Sequence, residues 1–65
     1  MMIRLTNMKG LPCLVIPQAI ARVNSAGPNG SGVGAYVKMQ DGEVLEVQES
    51  VDEISQRIEF AYRMI

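Results

Sequence analysis

The dipeptide Asp41-Gly42 constrains this chain more than any other feature, because it sits between two runs of alternating apolar and polar residues. In that setting Asp-Gly is a strong hairpin signal. Before it, the alternation predicts a strand from Ala35 to Met39, with Ala35, Val37 and Met39 facing one way and Tyr36 and Lys38 the other. After it, Glu43 to Val47 continues the pattern and buries Leu45 and Val47. Further upstream, Met2 to Met8 is rich in strand formers, with Ile3 and Leu5 on one face. Lys9-Gly10 marks a second tight turn, since glycine accepts positive φ without a steric penalty. The run Leu11–Ile16 is apolar on both faces and predicts a strand covered on both sides, with Pro12 at its start or on an edge. Pro17-Gln18-Ala19-Ile20 reads as one helical turn, because proline suits a first helical position, and a short strand from Ala21 to Asn24 follows.

The other end of the chain changes period. Ser50-Val51-Asp52-Glu53 is a capping box, in which serine and glutamate each satisfy the other's backbone amide. Asp52 and Glu53 also place negative charge where the helix dipole favours it. A helix over about 50–64 then aligns Val51, Ile54, Ile58, Ala61 and Ile65 on one stripe, with Glu53–Arg57 and Glu59–Arg63 as i,i+4 pairs. The expected fold is α+β: a single domain over 1–65, a small antiparallel β-sheet or barrel-like unit of about five short strands, and a C-terminal α-helix.

Such a chain is near the lower limit for a self-sufficient core, burying only about 60% of the surface its unfolded form exposes. Cys13 is the only cysteine and histidine is absent, so neither a disulfide framework nor a Cys/His zinc site supplies the missing stability. Yet 48% of the residues are apolar. Association with copies of itself is the remaining route, so a homo-oligomer is expected, with Phe60 and Tyr62, which fall off the main helical stripe, at the subunit contact. Cys13 lies in an apolar run and reads as a buried structural thiol. Charge is unevenly spread: residues 1–40 carry Arg4, Lys9, Arg22 and Lys38 and no acid, while residues 41–65 carry all seven acids against Arg57 and Arg63. No signal-peptide pattern and no membrane-length apolar run is visible, which predicts a cytoplasmic protein with no membrane partner.

Met2-Ile-Arg-Leu-Thr-Asn-Met-Lys-Gly10, the apolar strand after it, the Pro-Gln-x-Ile turn, the Asp-Gly hairpin and Val47-Gln-Glu-Ser-Val-Asp-Glu-Ile54 together resemble the FlbD family of small flagellar-associated proteins. The layout is equally similar to that of many small phage proteins. The resemblance implies the fold and a habit of oligomerising, and it implies no enzymatic activity. One departure is the longer connection Ser25–Gly34 between the third and fourth strands. A weaker resemblance, on Leu5-Thr6 and Glu53–Ile58, is to the carbon-storage regulator family, a dimeric RNA-binding fold with a basic residue ahead of its helix. Here Val47–Val51 is acidic, which would repel phosphates, so nucleic acid is not an expected partner.

The segment Asn24–Tyr36, with four glycines, holds the candidate site, and two readings of it stand. Gly-Pro-Asn-Gly-Ser-Gly is what a chain uses for a slack connection. Successive glycine amides also form concave nests that attract anions. It matches neither the Walker loop nor the dinucleotide fingerprint. On the binding reading, Asn24, Ser25, Asn29 and Ser31 read hydroxyls and base edges, Gly30 and Gly32 supply amides, Tyr36 stacks on a planar ring, and Lys38 and Arg22 meet a phosphate. No acid pair, histidine or metal motif supports catalysis, so the expectation is a non-enzyme without a cofactor. The function expected is capture of an anionic nucleotide-like signalling molecule, by analogy with phage sponges that act against host defence. The alternative is an accessory protein of the flagellar kind, acting through protein contacts.

Overall fold

The computed structural model describes residues 1–27 and 32–63. Five antiparallel strands form two sheets, and one helix follows them: β1 (Ile3–Thr6) pairs with β2 (Pro12–Val15), and β3 (Ile20–Ser25), β4 (Ala35–Met39) and β5 (Val44–Val47) lie in that order. Two hairpins close with the same device. At Asp41-Gly42 the Gly42 amide donates to the Met39 carbonyl at 3.0 Å, the Met39 amide to the Glu43 carbonyl at 2.7 Å, and the Glu43 amide to Asp41 Oδ1 at 2.9 Å. Gly42 takes φ 94°, so the loop has three residues with glycine in the left-handed position. At Lys9-Gly10 the Asn7 side-chain oxygen plays the aspartate's part, accepting from the Lys9 and Leu11 amides at 2.9 and 3.0 Å.

The predicted sheet faces are present. Ile3, Leu5, Val15, Ala35, Val37, Val47 and Ile54 are buried, and Cys13, Ile20, Val23, Met39 and Leu45 pack against them. Ile20 and Val23 are three residues apart, and a regular strand would point them to opposite faces. A bulge at Ala21 corrects this: Ile20 pairs with Met39 and Arg22 with Lys38, leaving Ala21 as the extra residue.

Three expectations need correction. The strands do not form one continuous unit; the two sheets meet through a single bridge between Asn7 and Val47, extended by the Gln48 amide donating to the Thr6 carbonyl at 2.8 Å. Pairing ends there because the chain turns at Gln48–Glu49 into the helix. The second strand is covered on one face only, since Leu14 is 60% exposed; β2 lies at the end of a two-stranded sheet with nothing over its outer side. Cys13 is half-buried, facing the core from this outer strand.

The helix α1 (Val51–Arg63) packs across β1 and β3 through Val51, Ile54, Ile58 and Ala61; Ile65 lies outside the described residues. Its capping box is formed: the Glu53 amide donates to Ser50 Oγ at 3.1 Å and the Ser50 amide to Glu53 Oε1 at 3.2 Å. Replacing Ser50 by Ala should lower stability by about 1 kcal/mol, read as a shift in the urea midpoint at unchanged slope. Arg63 pairs with Glu59 at 2.6 Å as expected, but Arg57 turns away from Glu53 and pairs with Glu49 at 2.8 Å. Glu53 is held by its cap, and the buried carboxylate of Glu49 demands a cation more strongly than a solvated one does. No helix among the described residues is long and apolar enough to cross a membrane.

Candidate functional site

The register of β3, β4 and β5 brings four of the candidate binding residues onto one exposed face. Arg22 stands directly opposite Lys38, and Asn24 directly opposite Tyr36, in adjacent rows. All four are exposed, Tyr36 least so at 36%. The rows continue onto β5 with Val44 beyond Lys38 and Glu46 beyond Tyr36. The face therefore carries two cations, an aromatic ring, an amide and one carboxylate. The two rows lie about 7 Å apart along the strands, the spacing of two residues.

Two like charges directly across a strand pair repel each other, and the bulge at Ala21 is what puts Arg22 there. Among the described residues neither Arg22 nor Lys38 forms an ion pair. An arrangement with no folding benefit and a concentrated positive charge is suited to an anion, whose charge would remove the repulsion.

The remaining candidates are dispersed. Ser25 lies in the next row, opposite Ala35, and its hydroxyl accepts the Gly27 amide at 3.2 Å, which makes it a turn-former. Gly32 is exposed at φ 89° and approaches Met8, at the tip of the first hairpin. Asn29, Gly30 and Ser31 lie outside the described residues, so the expected amide nest does too. Gly34 belongs to the fold: a Cβ placed there would overlap the carbonyl oxygens of Gln48 and Glu49, and its own amide donates to the Val47 carbonyl at 2.8 Å.

Among the described residues one charged side chain is buried, and it is not among the residues the sequence singles out. Glu49 is 6% exposed and carries a carboxylate with three donors. Oε1 accepts the Thr6 amide at 2.8 Å, and Oε2 accepts both the Thr6 hydroxyl and Arg57 Nη1 at 2.8 Å. Burial alone would raise its pKa, but the hydrogen bonds from Thr6 and Arg57 outweigh burial and hold it below the usual glutamate value. The same Arg57 nitrogen donates to the Arg4 carbonyl at 2.7 Å. Glu49 and Arg57 thus stand where a neighbouring strand would, satisfying the outer edge of β1. The acidic surface expected before the helix is therefore smaller than read, with Glu49 turned inward. A signal for this was present: Leu45, Val47 and Glu49 continue the period of two, which places Glu49 on the buried side.

Beside this pair, between the chain's N-terminus and α1, lies an open groove of about 850 Å³ lined by Met1, Met2, Arg4, Gln56, Arg57 and Phe60. It shares no residue with the sheet face. Among the described residues no three His, Cys, Asp or Glu side chains gather as a metal site would need. Comparison with protein-family models, with curated proteins and with solved structures finds nothing that matches this chain.

Proposed function

We propose that this is a non-enzymatic binding protein of the cytoplasm that captures an anionic, ring-bearing small molecule of nucleotide type on the β3–β4 face. One observation carries the reading: the unpaired cross-strand cations Arg22 and Lys38, one row from Asn24 and Tyr36. A phosphate set between the two cations relieves their repulsion, while a ring about 7 Å away reaches Tyr36 and offers its edge to Asn24. The activity we propose for this arrangement is capture and sequestration.

The test is native mass spectrometry and calorimetry with linear and cyclic nucleotides. The protein should retain nucleotide at fixed stoichiometry. Arg22→Ala and Lys38→Ala should each weaken binding about tenfold, the loss of one charge-assisted contact. Tyr36→Ala should weaken it less, and Arg63→Ala, in the last turn of α1, should leave it unchanged; Lys9→Ala, in the hairpin that Gly32 approaches, should have a smaller effect than either cation. Affinity should also fall with salt, because the cations are solvent-exposed. Failure to retain any nucleotide, or equal loss from Arg63→Ala, would refute the reading and turn attention to a protein partner.

A further inference from the structure

We infer that the groove between the N-terminus and α1 is a two-fold interface that takes the same groove of a second copy. Its apolar residues are displayed: Met1, Met2 and Phe60 are 45%, 56% and 65% exposed, while seven apolar residues among those described form the buried core. Ten large apolar side chains are exposed among the described residues, and the meeting of three of them in this one groove favours an interface there.

The helix shows which occupant fits. Glu53, Gln56, Arg57 and Phe60 follow one another at i, i+3, i+4 and i+7, a second stripe beside the one that faces the core, and all four line the groove. Charge is graded along the helix as a whole: Asp52 and Glu53 stand in the first turn and Arg63 in the last, one turn beyond Phe60. Two such helices packed antiparallel about a two-fold axis near residue 58 are complementary to each other. Glu53 of one copy meets Arg63 of the other, and Phe60 lies over Gln56 and the guanidinium of Arg57, a contact aromatic rings favour. A parallel arrangement would set acid against acid and base against base. Arg63 gives up only its exposed pair with Glu59, which contributes little.

The strand edge beside the groove argues for side-chain packing over strand addition. Arg57 occupies the Arg4 carbonyl, Glu49 the Thr6 amide and Gln48 the Thr6 carbonyl, so β1 has few free groups for another strand. The inference is independent of the ligand reading, because the groove and the β3–β4 face share no residue.

Light scattering after size exclusion, on the full chain with no nucleotide, tests it. The expected mass is twice the 7.1 kDa of the chain. Phe60→Asp should give the monomer mass, while Leu14→Asp, an equally exposed apolar residue outside the groove, should leave the dimer intact. Arg63→Glu sits in the exposed last turn and should fold whatever Phe60→Asp does. It should weaken association at least tenfold in low salt, with part of the loss recovered as salt screens the new acid–acid contact. A wild-type monomer at every concentration, an odd-numbered assembly, or a dimer unmoved by Arg63→Glu would overturn the inference.

Discussion

Glu49→Ala should be among the more damaging side-chain truncations in the molecule, lowering stability by about 3 kcal/mol. The substitution strands three donors at once: the Thr6 amide, the Thr6 hydroxyl and Arg57 Nη1. Two of these belong to the half-buried Thr6. Arg57 suffers less, because its side chain is 42% exposed and water can replace the carboxylate. For a domain of this size the loss corresponds to a fall in Tm of very roughly 15 °C. Glu49→Gln keeps the volume and should cost about half as much, since its amide leaves one oxygen to accept and sets one NH2 against a donor. A loss below about 1 kcal/mol for Glu49→Ala would show that the network is decorative.

The same residue contributes to the acid sensitivity of the fold. Its pKa is lowered in the folded protein, so the folded state binds this proton less readily than the unfolded chain does. The contribution is therefore complete above the unfolded glutamate value, close to 4.5, and is lost as pH falls through the lower folded value. Thermal midpoints measured between neutral and strongly acidic pH should drop steeply for the wild type below that region. The Glu49→Gln profile should be flatter there, although it starts lower. Parallel profiles would place the acid sensitivity elsewhere.

Gly34→Ala is the second large effect expected, about 3 kcal/mol or more, because backbone stands where the methyl group must go. The obstructing atoms are the carbonyl oxygens of Gln48 and Glu49, which cannot rotate away as a side chain would. Relief requires the β4 entry and the β5–α1 connection to separate, which breaks the Gly34–Val47 hydrogen bond and disturbs the anchor of Glu49. Gly27→Ala is the control: φ is 75° there but nothing lies nearby, so only the backbone strain of about 1 kcal/mol applies. Denaturant midpoints of the two variants should differ clearly. Equal midpoints would mean that the close approach at Gly34 relaxes freely.

Gly34 also shows where the reading of the sequence ran out. Four glycines in one segment look alike on paper, and all invite the idea of a ligand loop. Only the folded chain separates Gly34, excluded from any larger residue by a backbone 14 positions away, from Gly27 and Gly32, which serve turns. Glu49 was legible in part, because the period of two that buries Leu45 and Val47 continues to it. Its position just ahead of Asp52 and Glu53 at the helix start obscures that pattern. Helical spacing permits Arg57 to pair with Glu53, whereas the buried carboxylate of Glu49 makes the stronger claim.

Local chemistry was determined by the sequence alone: the Asp41-Gly42 and Lys9-Gly10 turns, the inward faces of β1, β4 and β5, the capping box and the helix stripe. Each depends on residues within a few positions of one another, where φ preferences and side-chain period decide. The tertiary structure decided everything that joins distant positions. It split the strands into two sheets, set Arg22 against Lys38 through the bulge at Ala21, turned Glu49 inward to Thr6, and left Phe60 with Met1 and Met2 at the surface. Those outcomes depend on register and on which buried group most needs a partner. Neither quantity is carried by any short stretch of chain.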